Sequence, residues 1–321
     1  MKLGKATREA FGLALAELGQ RYPDIVVLDG DVHNSTRTEH FAKRFPERFF
    51  NVGIAESNLV SIAGGMAGAG KRPWLASFAA FVMCNAYDQL RMSVAFPCAD
   101  VKIVGSHAGI SIGEDGPSQM GIEDVALACA LPNFTVVVPA DEPSTFAAVE
   151  ALAELRTPAY LRVGRPNVPL IYPQPAPFRL GQANRLRDGS DVTLIANGIM
   201  VWAALEAAET LARQGIQARV LDMHTVKPLD RDAVLQAARD TGAIVVAEEH
   251  TIYGGLGSIV AMTAARHHPV PMRFVALQDT YAESGTPEGL LAKYGLTAAD
   301  IVREVCDLLQ AAGKRRTMPV Q

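Results

Sequence analysis

Short apolar runs alternating with amphipathic stretches set the pattern of this chain. Arg8 to Tyr22 places Phe11, Leu15 and Leu18 on one helical face and predicts the first helix. A strand-like run follows, Asp24-Ile-Val-Val-Leu28, closed by Asp29-Gly30-Asp31. A second extended segment, Phe49 to Val52, leads into the small-residue run ESNLVSIAGGMAGAG. Further strands are predicted at Val101 to Val104, Thr135 to Val138 and Ala159 to Arg162, with helical stretches between them. The proline-rich piece from Tyr172 to Pro177 reads as a stiff surface linker. Beyond it come a strand at Val192 to Ala196, a helix from about Val201 to Gln214, and strands at Ala218 to Leu221 and Ala243 to Ala247. This alternation predicts an α/β protein of two domains, each a mostly parallel sheet flanked by helices. The expected division is residues 1–172, a linker at 173–188, and residues 189–321.

The 321 residues are 49% hydrophobic and 20% charged, as expected for well-filled cores. The net charge of -4 leaves no electrostatic footprint for nucleic acid or a membrane surface. The Lys314-Arg315-Arg316 run reads as a solvated tail. Neither a signal-peptide core nor a bilayer-length apolar stretch is present, so a cytoplasmic protein is expected. Cys84, Cys98, Cys129 and Cys306 form no paired motif at metal-ligand spacing, and reduced thiols are expected.

Four stretches carry candidate chemistry. In NVGIAESNLV, Glu56 sits among apolar residues at a strand-to-helix junction, where burial would raise its pKa and fit it for proton transfer. On spacing alone, an acid stabilised by the helix dipole is the ordinary reading. In SFAAFVMCNAYDQLR, Phe78 and Phe81 are three apart and predicted to share a helical face, as core or as a stacking wall for a flat cofactor. The segment GSHAGISIGEDGPSQMGIED places His107, Glu114, Asp115 and Gln119 in a glycine-rich loop after a strand. A surface turn around Asp115-Gly116 is the alternative. Arg8, Ser35 and Arg165 are suited to an anionic substrate, and each is also an ordinary surface residue type.

The strings ATREAFG, DGDVHNST, AESN, SFAAF, YDQLR, SHAGISIGEDGPSQM and GRPN occur here in the order they take in transketolases, followed by MHTVKPLD and EEHTIYGGLGS. The chain therefore resembles the transketolase family along essentially its whole length. The resemblance is nearest the animal-type branch, with Gln119 where many microbial members carry His. It implies a thiamine-diphosphate pyrimidine-binding domain followed by a transketolase C-terminal domain. It also implies roles for residues. Glu56 would protonate the aminopyrimidine ring, Phe81 would stack on it beside Phe78, and Gln119 would contact the cofactor, with Asp31 near the thiazole. His107 and Asp115 would meet the sugar hydroxyls and the reacting carbon. Arg8, Ser35 and Arg165 would grip the sugar phosphate.

Transketolases also use a domain that holds the diphosphate through Mg²⁺, marked by Gly-Asp-Gly and a later Asn. Here Leu28-Asp-Gly-Asp31 is followed by Val32, so the metal motif is read as absent and no metal ligand is assigned. The chain begins with Met1, and the expectation is a separately encoded subunit. An N-terminal transketolase subunit would then supply the diphosphate and Mg²⁺ site, in an α2β2 assembly that transfers a two-carbon ketol unit between sugar phosphates. Three alternatives stay open. They are the beta subunit of a 2-oxoacid dehydrogenase first component, a 1-deoxyxylulose-5-phosphate synthase-like enzyme, and a non-catalytic partner subunit.

Overall fold

The computed structural model describes residues 2–313, so the Lys314-Arg315-Arg316 run lies outside the described residues. Fourteen strands are described: β1 (Leu3–Ala6), β2 (Ile25–Asp29), β3 (Phe49–Asn51), β4 (Arg72–Phe78), β5 (Lys102–Ser106), β6 (Thr135–Val137), β7 (Ala159–Arg162), β8 (Asn167–Pro169), β9 (Asn184–Arg187), β10 (Val192–Ala196), β11 (Ala218–Asp222), β12 (Thr225–Lys227), β13 (Ile244–Thr251) and β14 (Met272–Leu277). The larger sheet has the order β12-β6-β7-β5-β4-β2-β3, and the smaller has β14-β13-β10-β11-β9. All neighbours are parallel except β12 on β6 and β9 on β11. β1 and β8 form a separate antiparallel pair. The chain is thus an α/β protein with two mostly parallel, helix-covered sheets.

The sequence explains these layers. β2, β4, β5 and β10 are buried at every position, which calls for continuous apolar runs rather than alternation. The helix Met200–Arg213 buries Val201, Ala204, Ala208 and Leu211, a stripe at helical spacing against the smaller sheet. Asp141 accepts from the Ser144 N–H at 2.9 Å and starts the helix Glu142–Glu154.

Two strands depart from the expected division at the linker, and β12 ties the sheets together. β9 falls within the stretch expected to be linker and pairs with β11 of the smaller sheet. β12 lies beyond that stretch, yet it pairs with β6 at the edge of the larger sheet. One apolar cluster accordingly runs from Leu28 and Leu75 through Val136 and Val226 to Ile195 and Val246. Among the described residues, no helix is long and apolar enough to cross a membrane.

One expectation needs correction. Phe78 and Phe81 do not share a helix: Phe78 is the last residue of β4, and Phe81 opens the π-helical turn Phe81–Asn85. Their spacing of three fits a helix, but β4 is a strand buried on both faces and carries no alternation to mark it.

Candidate active site

The candidate residues gather largely at the carboxyl ends of the larger sheet's strands, where open α/β sheets place their ligand crevices. β4 ends in Phe78, and β5 ends in Ser106, one residue before His107. Arg165 follows β7 by three residues. Burial of His107 is nearly complete, and its backbone takes the left-handed conformation at φ 57°. That turn sets its ring on Phe78, with centroids 3.9 Å apart and planes 19° from parallel. Phe78 stacks in turn on Phe81 at 5.4 Å. The three rings form one continuous wall.

The proton on His107 can be located from its partners. Its Nε2 lies 3.1 Å from Arg8 Nη1, and arginine only donates. Nε2 is therefore the acceptor, and Nδ1 carries the proton that faces Ser106 Oγ. Burial pushes the imidazole pKa down from 6.5 to about 3, helped by the charges of Arg8, Arg165 and Arg37. The ring is held neutral.

Arg8 Nη1 also donates to the Ser35 main-chain oxygen at 2.9 Å, so Ser35 is engaged through its backbone. Arg8 Nε is buried with no hydrogen-bond partner among the described residues. Burial, helped by the nearby Arg37 and Arg165 charges, lowers the Arg8 pKa to about 10. Arg8 and Arg165 line a cavity of about 240 Å³ with Ser111, Ile112, Glu114 and Asn167. Arg165 Nη1 donates to the Ile112 carbonyl at 2.6 Å and to Glu114 Oε2 at 3.2 Å, with Asp115 Oδ1 at 3.5 Å. A half-buried guanidinium pair with one orphaned donor suits an anion. Asp115 is exposed and paired with Arg165.

Glu56 is buried at the start of the helix Glu56–Gly68. Its Oε2 accepts from Asn85 Nδ2 at 2.9 Å, whereas Oε1 accepts no hydrogen bond from the described residues. Ser57 Oγ donates to the Asn85 carbonyl at 3.1 Å, so the helix start and the Phe81–Asn85 turn brace each other. Sequence reading missed Asn85 because nothing in its spacing marks it. A π-turn places it, and such turns are frequent at functional sites.

Gln119 is half-buried, and its neighbours Ser118 and Met120 line a second cavity of about 490 Å³ with Phe81, Cys84, Glu123 and Tyr281. Asp31 follows the carboxyl end of β2, which pairs with β4. It is exposed in the left-handed conformation, and its Oδ1 accepts from Asn51 Nδ2 at 2.7 Å. Among the described residues, no group of three or more His, Cys, Asp or Glu side chains is placed to hold a metal ion.

The transketolase pyrimidine binding domain matches residues 4–170, and the transketolase C-terminal domain matches residues 181–301. The chain belongs to the transketolase family. Among relatives of this transketolase-family chain, a putative transketolase C-terminal section from Methanocaldococcus jannaschii is 39% identical over 306 residues, covering 94% of this chain and 96% of that protein. The 6-deoxy-6-sulfo-D-fructose transketolase subunit SqwH of a Clostridium species is 42% identical over 296 residues, covering 92% of each. A solved structure described as a split gene transketolase, inactive beta4 tetramer, superposes with a TM-score of 0.90 at 48% identity. It covers 96% of this chain and 99% of that one. The chain spans about half the length of the mammalian transketolases it matches.

Proposed function

We propose that this chain is the pyrimidine-binding half of a two-chain, thiamine-diphosphate-dependent transketolase moving a two-carbon ketol unit between sugar phosphates. A single observation carries the reading: buried Glu56, with one oxygen engaged by Asn85 and the other unengaged, shares a continuous set of elements with the Phe81–Phe78–His107 wall and the Arg8–Arg165 pair. The residues fit the pyrimidine end of the cofactor. Phe81 offers a ring face for stacking, and Glu56 Oε1 can hold the proton for a ring nitrogen. Gln119 and Phe78 complete the cofactor contacts, and Asp31, beyond the carboxyl end of β2, is assigned to the thiazole side.

When bound, thiamine diphosphate supplies the nucleophilic carbon and the electron sink for cleavage beside a ketose carbonyl. This chain's own residues do the rest. Glu56 holds and moves a proton at Oε1. His107, kept neutral, can take a substrate hydroxyl on Nε2 in place of the Arg8 N–H. Arg8 and Arg165 hold the anionic end, with Ser35 fixing Arg8 and Asp115 moving off Arg165 to reach the sugar. The diphosphate and its Mg²⁺ belong to an N-terminal partner subunit in an α2β2 assembly; the likeness to a split gene transketolase, inactive as a beta4 tetramer, supports the need for a partner and self-association. A terminal sulfonate would meet the same two guanidinium groups, in keeping with the name of the Clostridium relative.

The test combines the chain with its partner. Alone it should bind thiamine diphosphate weakly and transfer no ketol; the assembled pair should do both. Glu56→Gln should lower the rate by about 10²–10⁴-fold at saturating cofactor, the usual loss for a general acid. Tight Mg²⁺-dependent cofactor binding by this chain alone, or full activity in the variant, would refute the proposal.

A further inference from the structure

The smaller sheet reaches into the candidate site at one buried carboxylate. β13 carries Glu249, whose Oε1 accepts the Ser111 N–H at 2.6 Å inside the glycine-rich loop of the other domain. The carboxylate occupies the space beside Gly109, where φ is 81° and any added Cβ would overlap it. Only glycine leaves room for that approach. Burial pushes the Glu249 carboxyl up from its ordinary range, and the Arg162 charge and Ser111 bonds offset part of that rise.

The returning arm of the loop is tied to the same strand. Arg162 Nη2 donates to the Glu249 carbonyl at 2.8 Å and to the Gly121 carbonyl at 3.0 Å. Thr251 N–H donates to the Ile122 carbonyl at 2.8 Å. Gly109 N–H and the Gly121 carbonyl close the loop base at 2.7 Å. Below it, Asp124 Oδ2 accepts from Arg162 Nε at 2.9 Å and from the Tyr160 hydroxyl at 2.6 Å. Between the two arms lie Ser111 and Ile112, which line the Arg8–Arg165 cavity, and the Ile112 carbonyl fixes Arg165.

We infer that Glu249, from the C-terminal domain, is a positioning residue that locks the His107–Gly121 loop in the shape the anion-binding cavity requires. The lock stands on geometry alone, while its consequence for catalysis rests on the function proposed above. Without this carboxylate the buried Ser111 N–H has no acceptor, and the Ile112 carbonyl is no longer held against Arg165. Glu249→Gln keeps an acceptor oxygen at the same reach, and Glu249→Ala does not.

Hydrogen–deuterium exchange read by mass spectrometry on the intact chain tests the lock directly. In Glu249→Ala, peptides spanning residues 109–113 should exchange about tenfold faster, the scale of one lost bond to a charged group, with Glu249→Gln close to the original chain. In the assembled enzyme, Glu249→Ala should raise KM for a phosphorylated ketose about tenfold while kcat changes far less. Glu249→Gln should rescue KM. A purely structural role would lower melting temperature without this split. If Glu249→Ala does not fold, Glu249→Asp, which withdraws the carboxylate by one methylene, replaces it with the same expectations. Unchanged exchange in these peptides, a Gln variant as loose as the Ala variant, or an unchanged KM in an active assembly overturns the inference. If the unmutated assembly transfers no ketol, the functional proposal fails, and exchange on this chain still decides the lock.

Discussion

Acidification should destabilise this chain through His107 in a way that one substitution removes. In the folded chain His107 titrates at about 3, against 6.5 when unfolded. Above 6.5 both states are neutral there and the residue adds no pH dependence. Below 6.5 the unfolded chain takes up a proton that the folded chain refuses, so stability falls as pH drops toward 3. The slope approaches about 1.4 kcal/mol per pH unit, and between pH 7 and pH 5 the loss is about 2 kcal/mol. That figure hardly depends on the folded value, provided it lies well below 5. His107→Gln keeps an acceptor for Arg8 but cannot titrate. Urea unfolding of the original chain and the variant at pH 7, 6 and 5 gives the comparison, with other titrating groups common to both. The original chain should lose about 2 kcal/mol relative to His107→Gln across that span. A parallel pH dependence of the two proteins, or a His107 NMR titration midpoint near 6.5, would refute the neutral, Arg8-bonded ring.

Other substitutions probe neighbouring parts of the site. Arg165→Ala should raise KM for sugar phosphates by the equivalent of about 1.5–3 kcal/mol and leave plain ketoses nearly unaffected, and equal effects on both would remove it from anion binding. Asn85→Ala leaves Glu56 Oε2 without its donor and should reduce kcat about tenfold in the assembled enzyme, with Asn85→Asp worse because a like charge faces Glu56. Activity equal to the unmutated assembly would show that the contact is incidental. Gly105→Ala sets a methyl against the Tyr160 hydroxyl and should cost about 1–3 kcal/mol in thermal or urea unfolding, by displacing Tyr160 from Asp124. An unchanged melting temperature would count against that packing.

Much of the architecture could be read from the chain because most of its central strands carry short apolar runs, such as Ile25 to Leu28 and Leu194 to Ala196. β7 and β10 have the bounds expected from sequence, and the first helix is displaced by one residue. β4 and β14 were not anticipated, and neither were the short strands β1, β8, β9 and β12. The latter four are three or four residues long, three contain charged residues, and their pairing is set by distant partners. At the site, Arg8, His107 and Arg165 stand out by residue type and company. Asn85 and Glu249 do not, since a π-turn delivers the first and the second crosses from another domain. EEHTIYGGLGS showed only as a string in the family order, with no chemical signal for its second glutamate. Ser106 could have been found, since the residue beside a candidate histidine is a natural tautomer partner.

The pairing of β12 with β6 has a consequence for how the chain can be cut. A protease nick between Tyr172 and Asn184 would leave the pieces clasped, because backbone bonds and a shared apolar cluster still join them. Ending the chain at residue 172 is a different matter. It strips β6 of its outer neighbour and uncovers Val136 and Val138 beside a row of unanswered peptide groups, a template for intermolecular strand pairing. The amino-terminal domain made by itself should precipitate, and adding the missing fragment as a separate polypeptide should bring it into solution.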